Sequence, residues 1–356
     1  MDLIVFRKHL IHWFKQNSRP LPWRKDRNWY RVWISETMLQ QTQVAQVIPY
    51  YERFVLNFPD VGSLAAASLE SVLKLWEGLG YYARARNLHQ AARIIVDQFD
   101  HNLPQDITEV RKLPGFGPYT SNAVLSIAFN KPFSAVDGNV TRIITRLLAI
   151  DQDIRQSDTR KAIIRESDQL LDMHQPAVFN EALMELGAMI CTPRNPRCNE
   201  CPVSQFCLAR QQRLVSRLPF KSPLTARPST SVSTYIAFYN SKFLLAKRPV
   251  KGLLGGLWEF PSCLSDPDPK FNKKFSSEIV FAGSPIRVYP PVRHIFTHFN
   301  LQIKPVLYRL DSDQVNLAFY SEARWLPYDE IGEYPMHRSM QKLLEQIDDI
   351  SEIVSQ

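Results

Sequence analysis

From residue 3 to about residue 218, apolar side chains recur three and four positions apart, the spacing that lays one stripe along a helix. Breaks such as Phe58-Pro59, Leu103-Pro104 and Lys131-Pro132 divide the stripes. This stretch predicts an all-helical domain over 1–212. The pattern then changes: 213–231 is rich in proline, serine and basic residues and predicts a linker. Downstream, runs at 232–239, 243–246 and 301–308 suit short strands separated by turns, and 334–347 predicts a helix. The expectation for 232–348 is an α+β domain, and no repeat at a fixed period runs through the chain.

Length agrees with two domains, since 356 residues exceed what one core comfortably serves. With 45% hydrophobic and 22% charged residues the chain falls in the range of packed globular proteins. No run of roughly eighteen apolar residues occurs, which excludes a membrane helix. The first residues lack the pattern of a signal peptide, so the chain is expected in the cytosol. The net charge of +8, with a pI near 9.2, favours a polyanionic partner. Residues 1–220 hold 27 basic and 21 acidic side chains and 221–356 hold 16 and 14, so the helical part should supply most attraction to phosphate.

Three constellations carry candidate chemistry. The first is Leu113-Pro114-Gly115-Phe116-Gly117, between helices predicted over 107–112 and 118–129. Two glycines let a tight turn expose backbone N–H groups, and Pro118 suits the first helical position. Such a helix start holds an anion, although a plain interhelical turn reads similarly. Asp137, about twenty residues past the hairpin in Asp137-Gly138-Asn139-Val140, reads by itself as a turn and helix cap. The second is Glu36, within a helical stretch predicted over 33–44, where a glutamate is ordinarily a solvated side chain.

The third is Cys191-x6-Cys198-x2-Cys201-x5-Cys207, four soft ligands in seventeen residues. Thiolates at this density hold a metal, and ligand chemistry alone allows zinc or an iron–sulfur cluster. A single Cys-x2-Cys knuckle leans away from zinc ribbons, which use two. Arg194, Arg197 and Arg210 lie in or beside the loop, as DNA contacts or as a solvated basic surface. Cys263 stands apart and reads as a small buried hydrophobe.

Hairpin and aspartate together resemble the helix-hairpin-helix DNA glycosylase superfamily. Ser35-Glu36-Thr37-Met38-Leu39-Gln40-Gln41-Thr42-Gln43 closely resembles the adenine glycosylases of the MutY family. That resemblance implies a monofunctional enzyme of base excision repair, which flips adenine out of a pair with 8-oxoguanine or guanine and hydrolyses its glycosidic bond. It implies Glu36 as general acid and Asp137 as stabiliser of the oxocarbenium-like sugar, with Tyr119 and Asn139 beside them. For that division Glu36 needs an apolar pocket and Asp137 a polar one. It further implies Trp23, Arg24, Leu39 and Glu181 as an adenine pocket, Gln41 and Tyr81 as wedges in the base stack, and Gly115 and Gly117 as phosphate contacts. The cysteine spacing, followed by Pro202, resembles the [4Fe–4S] loop of endonuclease III and of the adenine glycosylases.

A related lyase carries its nucleophilic lysine just after the hairpin, but this chain has Pro118-Tyr119-Thr120-Ser121-Asn122 there and Thr141 where some adenine glycosylases have lysine. Residues 247–261 resemble a Nudix-like domain. The following stretch, 262–272, supplies no Arg-Glu-x-x-Glu-Glu helix for magnesium, so pyrophosphatase activity is not expected. In the family that domain reads 8-oxoguanine through a Phe-Ser-His loop, matched here by Phe296-Thr297-His298, whose threonine keeps the hydroxyl. The implied partner is double-stranded DNA carrying the mispair, and the implied protein is a monomeric, bacterial-type cytoplasmic enzyme associated with the nucleoid.

Overall fold

The computed structural model describes residues 1–223, 226–265, 271, 274–276, 279–347 and 350. Contacts divide the chain into two units, Met1–Ala65 with Gln90–Leu224 and Ala66–His89 with Thr225–Gln356. Among the described residues no helix is long and apolar enough to cross a membrane.

The first unit is helical. In chain order its helices are α1 (Leu3–Asn17), α2 (Trp29–Leu39), α3 (Val44–Asn57) and α4 (Val61–Ala66), which runs up to the boundary. Helix α5 (Leu69–Trp76) belongs to the second unit, and the division runs through α6 (Ala83–Phe99). Then come α7 (Ile107–Val110), α8 (Pro118–Phe129), α9 (Gly138–Leu147), α10 (Ser157–Leu170), α11 (Pro176–Met189) and α12 (Leu208–Gln211). Side-chain caps start several of them. Asp2 accepts from Ile4 N at 2.9 Å, Asn28 from Tyr30 N at 3.0 Å and Asp137 from Val140 N at 2.7 Å, each satisfying a backbone donor the helix leaves free.

Helix α8 is buried on most sides, with Thr120, Ser121, Ala123, Val124, Leu125, Ser126 and Ile127 all enclosed, and it packs against α2 and α11. A second core joins Phe6, Leu10, Val140, Ile144, Phe179, Leu183 and Leu186, with Cys191, Cys201 and Cys207 packed at its margin. Two predicted helices are shorter than expected. The first helix of the hairpin ends at Val110, and the helix bearing Glu36 stops at Leu39 because Gln41 turns to a left-handed φ of 63° before α3 begins.

The second unit is built on one mixed sheet: β1 (Ser229–Tyr239), β2 (Lys242–Lys247), β3 (Trp258–Glu259), β4 (Ser262–Leu264), β5 (Val280–Val288), β6 (Val292–Ile295), β7 (Asn300–Asn316) and β8 (Glu322–Leu326). The main order is β3-β2-β1-β7-β5, with β4 on β1, β6 on β7 and β8 on β2. Strands β1 and β7 are parallel, and β1 and β2 form a hairpin closed by Asn240 and Ser241, both at positive φ as a primed turn requires. Ile236, Phe243, Trp258, Phe260, Ile303, Leu307, Met340 and Leu343 make its core, the last two from α13 (Arg338–Leu344). That helix starts later than predicted, at Arg338, because Pro335 and the extended His337 precede it.

Residues Ala66–His89 group with this sheet for visible reasons. Leu73 Cδ1 lies 3.1 Å from the Cβ position of Gly256, and Glu70 accepts from Trp258 Nε1 at 2.8 Å and Lys247 Nζ at 2.9 Å. The Tyr82 hydroxyl donates to Met336 O at 3.0 Å, and Arg86 donates to Gly255 O at 2.9 Å. Cys263, expected to be buried, is half-buried on β4 with the Tyr235 hydroxyl 3.6 Å from its sulfur. Of the stretch expected to lack a magnesium helix, residues 266–270 and 272 lie outside the described residues.

Candidate active site

A cleft of about 1190 Å³ opens in the first unit, lined by α2, the glycine hairpin, the start of α9 and one face of α11. It gathers side chains that lie far apart in the chain: Trp23, Arg24, Glu36, Leu39, Gln41, Gly115, Gly117, Tyr119, Asp137, Asn139 and Glu181 all border it. Tyr81 belongs to the second unit.

Glu36 is only 5% exposed and receives the Tyr119 hydroxyl on Oε2 at 2.5 Å. Burial pushes its carboxyl up to about 7, helped by Asp137 and Glu181 and opposed by the Tyr119 hydrogen bond and Arg24. At neutral pH it therefore stands between donor and anion. Asp137 accepts from Val140 N at 2.7 Å and Asn139 Nδ2 at 2.9 Å. Burial raises it above its ordinary value, against those donors and Arg142, which favour the anion. Its surroundings are thus less watery than a plain polar pocket, yet its donors all serve a carboxylate.

Asn139 is held in turn. Arg142 donates from Nη2 to Asn139 Oδ1 and Gly187 O, both at 2.8 Å, and from Nε to Cys191 O at 2.6 Å. A Cβ on Gly187 would lie 2.6 Å from Asn139 Cβ, so only glycine on α11 permits this approach. The two hairpin glycines differ. Gly115 sits at φ 82°, which a side chain resists, whereas Gly117 is extended at −69° and an added Cβ would meet nothing within 4 Å. The space beside Gly117 is open. Between them Phe116 is buried and stacks on Trp33 at 5.1 Å.

The pocket wall comes from α11 and the 3₁₀ turn at Pro22–Arg24. Trp23 is buried edge-on to Tyr51 at 5.2 Å, and Glu181 pairs with Arg27 at 2.6 Å and faces Arg24 Nε at 3.5 Å. Sequence reasoning missed Arg19, Glu185, Arg142 and Lys221, all of which line the cleft. A signal existed for Glu185, since Glu181 and Glu185 are four apart and share one helix face.

Cys191, Cys198, Cys201 and Cys207 frame one small cavity with Ile190, Pro196 and Val215. Arg146 donates to Cys191 Sγ at 3.4 Å and to Thr192 O at 2.8 Å. Burial and then the neighbouring cysteines push the Cys201 thiol up to about 12, and burial also raises Cys207. Four thiolates would stand here only with cationic charge between them, which suits ligation of iron. No group of three His, Cys, Asp or Glu set for a single metal ion occurs among the described residues. Arg197 pairs with Glu200 at 2.8 Å and Arg210 with Asn199 at 3.0 Å, while Arg194 is exposed.

In the second unit, 296–298 form the tip between β6 and β7 rather than a continuous strand. Phe296 anchors the tip by stacking on Phe299 at 4.7 Å, and Thr297 and His298 are presented outward. The Tyr81 hydroxyl lies 3.0 Å from Thr297 Oγ1, joining two predicted DNA-facing residues within this unit. Tyr81 is 48% exposed at φ 49°, and Gln41 is exposed at φ 63°. Both backbones are left-handed, a conformation that side chains resist.

Residues 34–168 match the family described as HhH-GPD superfamily base excision DNA repair protein, 191–207 the iron-sulfur binding domain of endonuclease III, and 234–346 the NUDIX domain. Adenine DNA glycosylase of Rattus norvegicus is 35% identical over 96% of this chain and 78% of its own length. That of Homo sapiens is 33% identical over 96% and 74%, and that of Buchnera aphidicola subsp. Schizaphis graminum 31% over 97% and 99%. Among solved structures, a thermostable thymine-DNA glycosylase superposes with TM-score 0.53 at 26% identity, covering 59% of this chain and 97% of its own. A non-covalent endonuclease III–DNA complex gives 0.50 at 23%, covering 60% and 99%, a likeness of fold.

Proposed function

The chain belongs to the adenine DNA glycosylase family, and from that premise we propose that it extrudes adenine paired with 8-oxoguanine or guanine and hydrolyses its glycosidic bond, with Glu36 as general acid. It is an adenine DNA glycosylase of base excision repair with a helix-hairpin-helix core, an iron–sulfur binding loop and a Nudix domain. The observation that carries the residue assignment is the buried Glu36 carboxyl, bonded to Tyr119 at 2.5 Å and raised to about 7 in the cleft that Asp137 borders.

Adenine leaves poorly as an anion, so a proton must reach a ring nitrogen, N7 in this family, as the C1′–N9 bond lengthens. Glu36 delivers it, and Tyr119 orients the carboxyl. Positive charge growing on the sugar is stabilised by Asp137, whose anion Val140 N, Asn139 and Arg142 favour. Water then adds at C1′, and the proton it loses goes to the Glu36 anion, restoring the acid. Trp23, Arg24, Leu39 and Glu181 wall the extruded base, which must leave the stack before either carboxylate can act. The start of α8 beside Gly115 and Gly117 holds a backbone phosphate.

Helix α8 carries Tyr119 where a lyase would carry its amine, so the reaction ends at hydrolysis. The second unit reads the opposite base, with Thr297 and His298 at the tip, Tyr81 beside them, and Tyr81 and Gln41 entering the stack. Four thiolates, Cys191, Cys198, Cys201 and Cys207, hold one [4Fe–4S] cluster, which braces the loop and the DNA-facing surface beside it.

The test is base release from duplexes carrying adenine opposite 8-oxoguanine, adenine opposite guanine, or thymine glycol, with and without alkali. Adenine release from the first two, with strand cleavage only after alkali, supports the reading. Absence of release from the first sinks it. Thr297→Val should lower the preference for 8-oxoguanine over guanine about tenfold, the usual worth of one lost polar contact, with single-turnover release from the guanine duplex unchanged.

A further inference from the structure

Helix α11 presents two glutamates one turn apart to the cleft, and their partners differ. Glu181 pairs with Arg27 and faces Arg24. Glu185, 1% exposed as a side chain, accepts four hydrogen bonds: from Arg19 N at 2.8 Å, Arg19 Nε at 2.8 Å, Arg19 Nη2 at 2.7 Å and Arg24 Nη2 at 3.0 Å. Burial opposes its ionisation, but the Arg19 hydrogen bonds and then Arg24 outweigh that and bring it down to about 2. It is a fixed anion.

Arg24 connects that anion to the chemistry. One edge of its guanidinium bonds Glu185, its Nε lies 3.5 Å from Glu181 Oε1, its face covers the Phe14 ring at 5.2 Å, and its charge favours the anion of Glu36. The ionisable groups facing Glu36 are Tyr119 from α8, Asp137 from the start of α9, Glu181 from α11 and Arg24 from the 3₁₀ turn. Behind them, Arg27 faces Glu181, Arg19 faces Glu185, and Arg142 acts on Asp137. Two cations, Arg19 and Arg24, therefore border a site whose acid must keep a proton. Left unbalanced, they would remove it.

We propose that Glu185 is a positioning residue for the proton donor: it anchors Arg19 and Arg24 against α11 and cancels their charge, so that Glu36 keeps its proton until adenine arrives. The inference rests on Glu36 being the acid. It also gives the Arg19–Glu185–Arg24 cluster, built on a buried carboxylate, a task beyond packing, which matters because ion pairs of this kind contribute little net stability on their own.

The experiment is single-turnover adenine release against pH for the unaltered protein, Glu185→Gln and Arg19→Gln. The unaltered protein should lose rate above about pH 7. Glu185→Gln should bring that falling limb to lower pH, so that release drops about tenfold at pH 8 for each unit of displacement and stays within about threefold at pH 5.5. Arg19→Gln leaves Glu185 undercompensated and should move the limb the other way. A uniform loss in both variants at every pH, or an unmoved limb in Glu185→Gln, overturns the proposal. Should Glu185→Gln fail to fold, Arg19→Gln decides alone: an upward shift supports the proposal and a uniform loss overturns it. No adenine release by the unaltered protein would overturn the acid assignment itself, a separate failure.

Discussion

A carboxylic acid gives up its proton near pH 4 in water, and Glu36 escapes that fate because its surroundings make the anion unfavourable. Only 5% of the residue is exposed, and two other carboxylates stand near it. The same shift couples activity to stability with a definite sign. A group raised from 4.5 to about 7 in the folded protein stabilises it fully below 4.5, and that contribution fades as pH rises through 7. Above pH 7 the buried anion costs on the order of 3 kcal/mol. Glu36→Gln, which cannot ionise, should therefore match the unaltered protein in denaturation near pH 4.5 and exceed it clearly at pH 8. Equal stability at both pH values would mean that Glu36 is not held neutral by the fold.

At the scale of elements, the approach of α9 to α11 is decided by one absent side chain. Gly187→Ala should force Asn139 and Arg142 aside, destabilising the protein by about 1–3 kcal/mol, as overpacking does, and slowing adenine release, read by thermal melting and single-turnover rate. Gly117→Ala should leave melting nearly unchanged, because nothing lies within 4 Å, yet weaken duplex binding by filling the phosphate space. Melting unchanged by Gly187→Ala, or lowered strongly by Gly117→Ala, would contradict these roles. Much of this was legible in the sequence. Helical spacing, the glycine pair and Pro118 define the hairpin, and Asp137 serves as the cap its triplet suggested, while also lining the cleft. What escaped was non-local. Strand β5 contains Gly283 and Pro285, residue types that disfavour a strand, and pairing with β7 accommodates them through two irregularities in register. Arg142 looks like an ordinary helical charge until α9 and α11 pack, and the spacing of Glu185 from Glu181 does not reveal its arginine partners.

For the whole molecule, the cations that line the cleft divide by what holds them. Arg19, Arg24 and Arg142 in the cleft are bound to protein acceptors, whereas Lys221 has no carboxylate within ion-pair distance among the described residues. Its backbone is fixed on both sides: Leu218 O accepts from Arg146 at 2.9 Å, Phe220 O from Ile154 N at 3.2 Å, and Ser222 N donates to Asp153 at 3.2 Å. Lys221→Ala should weaken duplex binding and reduce the slope of log affinity against log salt by about 1, as loss of one phosphate contact does. An unchanged slope would place Lys221 away from the DNA backbone.

In the proposed mechanism one unit performs the chemistry and the other reads the base opposite. The central claim is that the buried Glu36 carboxyl supplies the proton that releases adenine. Single-turnover release from a duplex with adenine opposite 8-oxoguanine, followed across pH for the unaltered protein and Glu36→Gln at saturating enzyme, tests that claim most directly. The rate should fall tenfold per pH unit above about 7, and Glu36→Gln should bind the duplex within a few-fold of normal with release abolished. A Glu36→Gln protein that binds the duplex and releases adenine at an undiminished rate would contradict the claim.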